Sequence, residues 1–232
     1  MYKTLDIIIP VYNEEKTLEK VLSAIEVTDF CGLEKRIILV DDASSDSSRN
    51  ILLSDRCKSH LVLLHDKNRG KGAAIATALK NSTADIVVIQ DADLEYNPAD
   101  YNKLLPHIIN SNALVVYGSR LKEKPSRKSF LLLSYLANTF LTALTNILYG
   151  IKITDMETCY KAFSKEALDG IEIKSSRFEF EPEITAKISK KGIKIKEVPI
   201  SYRGRAYHEG KKVTAYDAAH AVFTLFYYRF FD

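Results

Sequence analysis

The amino-acid sequence predicts an α/β fold, with a Rossmann-like, mostly parallel sheet and helices on both of its faces. Three observations support this prediction. Short β-branched apolar runs alternate with helical segments through the first half of the 232-residue chain, the runs stay apolar on both faces, and polar or acidic loops follow four of them. Strands that alternate with helices give a parallel sheet, whose strands are buried on both sides.

Five strands are predicted in this first half, at residues 5–12, 36–41, 61–65, 85–91 and 114–118. Helices are predicted between them, at 14–26, 47–57, 70–81 and 98–110. The last of these begins at Pro98, because proline is favoured in the first turn of a helix. Ligands of open α/β sheets bind at the carboxyl ends of the strands, so the loops after the first four strands are predicted to share one site.

After residue 119 the alternation stops. A basic loop, a charge-free stretch, a helix, a strand and a C-terminal helix follow, the first four at 120–128, 130–151, 179–192 and 193–202. These elements do not indicate a second independent domain. We predict one domain over residues 1–232, in which 1–119 carry the main binding half and 120–232 complete the site and add the C-terminal helix.

The composition excludes several classes of protein. A net charge of +3 is too small to indicate a nucleic-acid partner. Cys31, Cys57 and Cys159 form an odd set without C-x-x-C spacing, which argues against a disulfide framework or a zinc site and favours a reducing compartment. The N-terminus becomes acidic after only a few apolar residues and does not indicate a signal peptide.

The strand at 85–91 ends in alternating acids. Asp91 and Asp93 are two residues apart, a spacing that brings two carboxylates close together at a strand end. Oxygen ligands of this kind suit Mg²⁺ or Mn²⁺, which commonly bind phosphate oxygens as well. The pattern is interpreted as a divalent-cation site for a nucleoside diphosphate. The alternative is a solvated turn whose acids cap the helix at Pro98.

The loops after the second and third predicted strands, "DDAS" and "NRGKG", also allow two interpretations each. Asp42 of "DDAS" follows the second strand, where an acid commonly accepts hydrogen bonds from a nucleotide, although Asp and Ser are also good helix caps. In "NRGKG", Gly70 and Gly72 permit close backbone approach, and Lys71 or Arg69 would meet a phosphate. The alternative for "NRGKG" is a tight connection between strand and helix.

Basic residues concentrate late in the chain. They are Arg120, Arg127, Lys128, Arg203, Arg205, Lys211 and Lys212. Positive charge stabilises a pyrophosphate leaving group, whereas charge runs in general form solvated surface. Both interpretations stay open at this level.

The charge-free stretch at 130–151 is long enough for a membrane span. Written as a helix, it carries a polar stripe at steps of three and four, formed by Ser134, Asn138, Thr142, Thr145 and Asn146. A span would separate the acids after the strand at 85–91 from the late basic residues, which the site needs together. We therefore predict helices that pack on the domain or lie at a membrane surface. A buried core helix is the alternative.

Taken together, the motifs resemble those of the family 2 glycosyltransferases, and within them the dolichyl-phosphate mannose synthase-like branch of polyprenyl-phosphate glycosyltransferases. They follow the family's order over roughly residues 5–212: "IIPVYNEE", "VDDASSD", "NRGKGAA", "QDADLEYNP", "GSR" and "EVPISYRGRAYHEGKK". The resemblance implies a GT-A fold. It also implies inverting transfer of a sugar from a nucleoside-diphosphate sugar, GDP-mannose or a UDP-hexose, to a polyprenyl or dolichyl phosphate, with Mg²⁺ or Mn²⁺ as cofactor.

The resemblance also assigns roles to residues. It implies that residues from both halves hold the nucleotide sugar: Pro10, Tyr12, Glu14, Val40, Asp42, Asp91, Ala92, Asp93, Arg120, Arg205 and Lys211. Asp91 and Asp93 would serve the metal, and Glu95, where relatives often have glutamine, is included as a third metal contact. Arg120 would reach phosphate, and the late basic pair would close over the donor.

Two alternatives to this function stay open. A phosphate acceptor is already ionised at pH 7, whereas a saccharide or other hydroxyl acceptor needs a general base. Asp155 or Glu157 of "TDMET" would supply that base, with a capping or loop acid as the alternative for Asp155. The second alternative is a non-catalytic sugar-nucleotide-binding domain, against which the intact acids and the late basic residues argue.

The location follows from the acceptor. For a polyprenyl-phosphate acceptor we expect a peripheral protein at the cytoplasmic face of the membrane. We expect no C-terminal anchor, because the chain stops at Asp232.

Overall fold

The computed structural model describes residues 2–122, 132–205 and 215–231. Its strands are β1 Thr4–Val11, β2 Glu34–Asp41, β3 Leu61–Leu64, β4 Ile86–Ile89, β5 Val115–Ser119, β6 Lys161–Ser164 and β7 Ile195–Pro199. They form a seven-stranded sheet in the order β3-β2-β1-β4-β6-β5-β7. The predicted α/β class and mostly parallel sheet are confirmed. Arg127, Lys128, Lys211 and Lys212 lie outside the described residues.

The centre of the parallel part is β1, whose sequence is apolar on both faces. Ile7, Ile8 and Ile9 are fully buried, as expected for a strand that helices cover on both sides. Strand β1 pairs in parallel with β2 on one side and with β4 on the other, and β3 extends the sheet beyond β2. The carboxyl ends of β1, β2 and β4 therefore lie side by side.

Eight α-helices accompany this sheet in the described residues. They are α1 Leu18–Val27, α2 Ser48–Leu52, α3 Lys71–Lys80, α4 Tyr101–Ile109, α5 Leu132–Tyr149, α6 Lys165–Leu168, α7 Phe180–Lys190 and α8 Ala215–Phe230. The helix predicted at 98–110 begins with a short 3₁₀ turn at Pro98–Asp100, which the side chain of Asn97 caps by accepting a hydrogen bond from the backbone N–H of Ala99. The predicted helix at 47–57 divides into α2 and a 3₁₀ turn at Asp55–Cys57.

Strand β6 adds to the sequence prediction, which placed no strand between 119 and 193. It lies antiparallel between β4 and β5 and so separates them. Its first residue, Lys161, is fully buried, with its ammonium group 4.5 Å from the centroid of the Tyr117 ring. A four-residue strand that opens with lysine has no apolar periodicity to reveal it. With β7, the later half supplies two strands to the sheet.

Helix α5 buries its polar stripe and exposes apolar side chains. Asn138, Thr142 and Thr145 are buried, and Asn138 donates a hydrogen bond of 2.8 Å to Asp155. The exposed apolar side chains are Leu133, Leu136, Phe140 and Ile147. In the part of the chain that the structure describes, no helix is long and apolar enough to cross a membrane.

Helix α8 packs against α5 and α7. A small core separate from the main one joins α5 to α8, and it consists of Leu141, Ile153, Met156, Ala221 and Leu225. Like α5, α8 exposes a row of large apolar side chains: Tyr216, Phe223, Phe226, Tyr227 and Phe230. The two adjacent helices thus each present an apolar stripe to the outside.

Candidate active site

A cavity of about 620 Å³ lies at the carboxyl ends of β1, β2 and β4, beneath α5, α7 and α8. Because neighbouring parallel strands end at the same edge, the loops that follow them meet there. Most of the residues predicted for the site line this cavity: Pro10, Tyr12, Glu14, Asp42, Asp91, Ala92, Asp93, Glu95, Arg120 and Arg205. Val40 does not line it, because its side chain is fully buried within β2. Asp155 does not line it either, and is buried behind Arg120.

The two aspartates after β4 each have a cationic partner. Lys71 Nζ lies 3.0 Å from Asp91 Oδ1, and Arg205 Nη2 lies 2.9 Å from Asp93 Oδ2. The loop turns at Leu94, whose φ of 61° is uncommon for a branched residue. This turn allows the backbone N–H of Glu95 to donate a hydrogen bond of 3.1 Å to Asp93 Oδ1.

Burial and charge separate the pKa values of these two carboxyls. Burial raises the pKa of Asp93 to about 7, with the charges of Asp91 and Glu95 adding to the shift and Arg205 opposing it. Burial acts on Asp91 in the same direction, but the charge of Lys71, hydrogen bonds from Cys159 and Lys71 and the charge of Arg205 together lower the pKa of Asp91 below its usual value. The crowding of negative charge around Asp93 makes this end of the cavity favourable for a cation.

Gly70 and Gly72 determine where Lys71 lies. A Cβ atom on Gly70, whose φ is +92°, would lie 2.4 Å from the carbonyl oxygen of Ser176, and one on Gly72 would lie 2.5 Å from that of Ser175. Only glycine allows this close approach of two backbone segments. The start of α3 is therefore held against residues 175–177. The contact of Lys71 or Arg69 with a phosphate stays a prediction.

Arg205 occupies the acidic end of the cavity. Its Nη1 lies 3.2 Å from Glu14 Oε2, and its Nε lies 3.6 Å from Glu95 Oε1, in addition to the contact with Asp93. Its backbone N–H donates a hydrogen bond of 2.8 Å to Glu95 Oε1. The guanidinium thus compensates three of the carboxylates that the sequence assigned to donor or metal.

The acids fit a divalent cation that would also take phosphate oxygens as ligands. Asp91 and Asp93 offer the oxygen ligands that Mg²⁺ and Mn²⁺ prefer, and burial, followed by the charges of Asp91 and Glu95, raises the pKa of Asp93. Glu95 is engaged elsewhere, because it accepts a hydrogen bond of 2.9 Å from the Tyr202 hydroxyl and contacts Arg205. Over residues 2–122, 132–205 and 215–231, no group of three or more His, Cys, Asp or Glu is arranged to hold a metal.

Asp42 organises the loop that leads to Lys71. It accepts hydrogen bonds from the backbone N–H groups of Arg69 and Gly70, at 2.8 Å and 2.7 Å, and its Oδ1 lies 2.7 Å from Nδ1 of His65. Its predicted contact with the nucleotide stays a prediction, and its observed contacts shape the cavity wall.

Glu181 is a cavity residue that the sequence did not predict. Glu181 lies in the first turn of α7, lines the cavity and contacts Lys71 Nζ at 3.0 Å. The signal was an acid on the buried face of the amphipathic segment "EFEPEITAKI", next to Phe180 and Ile184. Further missed lining residues are Asn68, Tyr96, Cys159, Arg177, Tyr202 and Asp217.

The part of the cavity between α5 and α8 is mainly apolar. It is lined by Leu133, Ala137, Leu141, Ala218 and Ala221, together with the polar side chains of Ser134, Asn138 and Asp217. Leu133 is also 77% exposed, so the apolar end of the cavity adjoins the outer apolar stripe of α5. One cavity therefore joins an acidic end to a mainly apolar end near the surface.

The parallel sheet, the strand-end acids and the relatives of the chain define a glycosyltransferase. The family model described as glycosyl transferase family 2 matches residues 6–171. The chain therefore belongs to the family 2 glycosyltransferases, and the resemblance drawn from its motifs is confirmed.

Individual relatives agree with this assignment. The chain is 32% identical to the UDP-N-acetylglucosamine–dolichyl-phosphate N-acetylglucosaminyltransferase of Methanococcus voltae over 217 residues, which cover 85% of each protein. It is 31% identical to an uncharacterized protein of Methanocaldococcus jannaschii over 199 residues, 84% of this chain and 79% of that one.

A solved structure shows the same fold. Glucosyl-3-phosphoglycerate synthase from Mycobacterium tuberculosis, in complex with Mn²⁺, uridine diphosphate and phosphoglyceric acid, matches with a TM-score of 0.73 at 20% identity. The match covers 99% of this chain and 80% of that one. The predicted GT-A fold is confirmed.

Proposed function

We propose that this protein is an inverting glycosyltransferase that moves a sugar from a nucleoside-diphosphate sugar to a polyprenyl or dolichyl phosphate. The observation that carries the proposal is the cavity with two unlike ends. Asp91 and Asp93 lie at an end suited to a diphosphate, and the other end is mainly apolar and adjoins the exposed apolar side chains of α5 and α8. A lipid phosphate combines the two kinds of group that such a cavity would accept.

The position of Asp155 supports a phosphate acceptor over a hydroxyl acceptor. A hydroxyl needs a general base, and both oxygens of Asp155 accept hydrogen bonds from Arg120. Glu157 lines the cavity, and burial raises its pKa to about 8, so it is the acid that a hydroxyl acceptor would have to use as its base. An acceptor phosphate is already ionised and needs neither residue.

A uridine donor and Mn²⁺ or Mg²⁺ are the first choices to test. The Methanococcus voltae relative is named for UDP-N-acetylglucosamine and dolichyl phosphate, and the mycobacterial structure contains uridine diphosphate and Mn²⁺. GDP-mannose stays the second donor. In this proposal Asp91 and Asp93 hold the cation, Arg120 and Arg205 supply positive charge near the diphosphate, and Lys211 joins them from outside the described residues.

The chemical step is a single displacement. An oxygen of the acceptor phosphate attacks the anomeric carbon, the bond from that carbon to the diphosphate oxygen breaks, and the nucleoside diphosphate leaves with its electron pair. The divalent cation, when bound, stabilises the charge of this leaving group. The basic side chains at the acidic end stabilise the same charge without any proton transfer.

We also propose that the apolar stripes of α5 and α8 lie on the cytoplasmic face of a membrane. The stripes consist of Leu133, Leu136, Phe140, Ile147, Tyr216, Phe223, Phe226, Tyr227 and Phe230. Exposed apolar area of this extent marks an interaction surface. A bilayer fits it best because the acceptor's lipid chain would then reach the apolar end of the cavity from the surface on which the stripes lie.

The direct test is sugar transfer from labelled donors. The purified protein is incubated with UDP-N-acetylglucosamine, UDP-glucose or GDP-mannose, a short polyprenyl phosphate, and MgCl₂ or MnCl₂. We expect a lipid-linked product from one donor and no product when the metal is chelated. Asp93→Asn should abolish transfer, whereas Asp66→Asn, at an exposed acid outside the cavity, should not change it.

Two other outcomes would replace the proposal. Donor hydrolysis or transfer to saccharides without a lipid product would indicate a hydroxyl acceptor, and Glu157→Gln should then abolish transfer. No binding of any nucleotide would leave a non-catalytic domain.

A further inference from the structure

Glu95 joins the loop after β4 to the segment that carries Arg205. Its carboxylate accepts two hydrogen bonds from this segment: Oε1 from the backbone N–H of Arg205 at 2.8 Å, and Oε2 from the Tyr202 hydroxyl at 2.9 Å. Its backbone carbonyl oxygen accepts a third, of 2.9 Å, from the backbone N–H of Arg203. One residue of the acidic loop thus binds three residues of a segment that follows β7.

These contacts lie in a shielded place. The side chain of Glu95 is 13% exposed and that of Arg205 is 17% exposed. A hydrogen bond to an ionised carboxylate is shorter and stronger than one between neutral groups, and partial burial protects it from screening by salt. The bond from the backbone N–H therefore contributes to holding the chain at residue 205 in place.

Glu95 is also tied to the acid that precedes it by two residues. Its backbone N–H donates a hydrogen bond of 3.1 Å to Asp93 Oδ1, while Asp93 Oδ2 lies 2.9 Å from Nη2 of Arg205. Glu95 therefore connects to Asp93 through its backbone and to Arg205 through its carboxylate. A displacement of the Glu95 side chain would change the position of Arg205 relative to Asp93.

Packing fixes the ring of Tyr202, which supplies the second bond to the carboxylate. The ring centroid lies 5.1 Å from the guanidinium carbon of Arg120 and 5.3 Å from the ring centroid of Tyr96. Side chains that packing locks in one rotamer hold their hydrogen-bonding partners in place. The Tyr202 hydroxyl is thus a fixed donor, and the orientation of the Glu95 carboxylate follows from it.

Glu95 holds the backbone of Arg205 more closely than it holds the guanidinium. Its Oε1 lies 2.8 Å from the backbone nitrogen but 3.6 Å from Nε. The ends of the guanidinium contact Glu14 and Asp93 instead, and a cation would compete for Asp93. The backbone bond would keep the guanidinium at this end of the cavity when a cation binds, where a diphosphate needs positive charge.

We propose that Glu95 is a positioning residue, which fixes the chain at Arg205 so that the guanidinium lies beside the diphosphate, and that it is not a ligand of the metal. This inference rests on the proposed function, because it assumes that a nucleoside diphosphate binds beside Asp93. Both carboxylate oxygens of Glu95 already accept hydrogen bonds. A metal ligand at this position would have to give up at least one of them.

Two uncharged variants separate the hydrogen bonds of Glu95 from its charge. Glu95→Gln keeps an oxygen for the N–H of Arg205 and offers an amide group to the Tyr202 hydroxyl, which can accept as well as donate. Glu95→Ala removes both side-chain bonds. Because the two variants have the same charge, a difference between them reports the lost bonds or a lost metal contact. Glu172→Gln and Glu172→Ala are the matched controls, because the Glu172 side chain is 68% exposed.

The first readout is the affinity for a nucleoside diphosphate. The full chain, with MnCl₂ present, is titrated calorimetrically with UDP and with GDP. We expect Glu95→Ala to bind its nucleotide about tenfold more weakly than Glu95→Gln, the size of one lost charge-assisted contact. With Arg205→Ala added to each, the two variants should differ by less than about twofold, because a residue that acts through Arg205 has no further effect once that side chain is absent. The control pair should not differ.

The second readout is the affinity for Mn²⁺ without nucleotide, from the free Mn²⁺ signal in electron paramagnetic resonance. It is measured with Arg205→Ala present, so that the guanidinium does not compete for the acids. We expect Glu95→Gln and Glu95→Ala to bind Mn²⁺ equally. Amide hydrogen exchange of Arg205 in the metal-free protein, with its own side chain intact, should be about tenfold or more faster in Glu95→Ala than in Glu95→Gln, because only alanine removes the acceptor of that N–H.

Melting temperatures show whether each variant folds. If Glu95→Ala does not fold, Glu95→Asp takes its place and is compared with the wild type, which has the same charge. Its side chain is one methylene shorter and cannot reach both donors, so the nucleotide should again bind about tenfold more weakly.

The outcomes separate this inference from the proposed function. If Glu95→Ala and Glu95→Gln bind the nucleotide equally, or keep their difference when Arg205→Ala is present, the inference is overturned and the proposed function stands. Weaker Mn²⁺ binding by Glu95→Ala than by Glu95→Gln would assign Glu95 to the metal and overturn it as well. If the wild type binds neither UDP nor GDP, the proposed function fails and the inference fails with it.

Discussion

Arg120 and Asp155 form a buried, bidentate ion pair with a third bond from the backbone. Arg120 Nε donates to Asp155 Oδ2 at 2.8 Å and Nη2 donates to Oδ1 at 2.7 Å, while the backbone N–H of Arg120 donates to Oδ2 at 2.9 Å. Both side chains are buried. The pair fixes the end of β5 to the segment after α5, and so positions Arg120 at the cavity wall.

Replacing Asp155 should therefore destabilise the protein. Asp155→Ala leaves the Arg120 charge buried and unpaired, which typically costs about 3–5 kcal/mol of unfolding free energy. Urea denaturation followed by circular dichroism measures this loss. Asp66→Ala, at an exposed acid, should change the unfolding free energy by less than about 0.5 kcal/mol. An Asp155→Ala variant that is as stable as wild type but inactive would instead favour the general-base role.

Gly72→Ala should disturb the cavity through Lys71. The added Cβ would lie 2.5 Å from the carbonyl oxygen of Ser175, so the start of α3 must move. We expect a loss of about 1–3 kcal/mol in unfolding free energy and a fall in transfer of about tenfold to a hundredfold, because misplacing a binding group by about 1 Å has effects of that size.

Gly170→Ala is the matched control for this change. Gly170 has a φ of +68° and nothing within 4 Å of an added Cβ. Alanine there costs about 1–2 kcal/mol from backbone conformation alone and should leave transfer unchanged. If Gly72→Ala and Gly170→Ala have the same effect on transfer, the contact with residues 175–177 does not position Lys71.

Arg205→Ala should increase the affinity for Mn²⁺ in the absence of nucleotide. The guanidinium of Arg205 and a divalent cation compete for Asp93, since Nη2 lies 2.9 Å from its Oδ2. Removing one positive charge at this distance should tighten Mn²⁺ binding by about tenfold or more, even with strong dielectric screening. The free Mn²⁺ signal in electron paramagnetic resonance measures the affinity. Arg203→Ala removes the same charge from an exposed position and should have little effect.

The stability of the protein should fall with rising pH because of Glu157. Burial, with Glu181 next, raises the pKa of Glu157 from 4.5 to about 8 in the folded state. Between these values the folded chain holds a proton that the unfolded chain has released. The unfolding free energy should therefore decrease as pH rises, by up to about 1.4 kcal/mol per pH unit.

The comparison with Glu157→Gln isolates this contribution. The difference in unfolding free energy between variant and wild type should grow in favour of the variant between pH 5 and pH 7.5. The change is read chiefly below pH 7, because Lys161, whose pKa burial lowers to about 8, begins to titrate above that pH. A difference that does not change with pH would mean that Glu157 ionises normally in the folded protein.

Membrane binding should depend on the apolar stripes of α5 and α8. Phe140 and Phe223 are 60% and 68% exposed, and burying such a side chain contributes about 1.5–3 kcal/mol. Each change to serine should weaken sedimentation with vesicles that contain anionic phospholipid by about tenfold or more. Leu53→Ser is the control, because Leu53 is 61% exposed and follows α2 rather than these helices. Equal loss in all three variants would argue against a specific face.

The sequence predicts the parallel part of the fold because its signals are local. The runs that became β1, β2 and β4 have continuous apolar centres, Ile7–Ile9 in β1, Ile37–Val40 in β2 and Ile86–Ile89 in β4, and their polar loops follow closely. The D-x-D acids and Arg120 reach the cavity because they immediately follow strands that end at it. What such reasoning uses is spacing along the chain and the rule that parallel strands share an edge.

The rest depends on contacts between distant residues, which spacing does not encode. Lys71 and Glu181 are 110 positions apart, and their contact requires the close approach of α3 to the segment before α7. The polar stripe of α5 is visible in the sequence, but its burial and the contact of Asn138 with Asp155 show that it faces inward. Arg205 was predicted to bind the nucleotide sugar. Its contacts with Glu14 and Asp93, which are more than 100 positions away in the sequence, become visible only in the folded chain.

The position of β6 has a consequence for the order in which the chain can fold during synthesis. Strand β5 pairs only with β6 and β7 in the described sheet, and both follow it in the sequence. A growing chain that has passed residue 119 therefore carries β5 with both hydrogen-bonding edges unpaired, a state prone to association with other chains. The sheet closes only after Pro199 has left the ribosome. Pauses of the ribosome before that point should lower the yield of folded protein, whereas pauses after it should not.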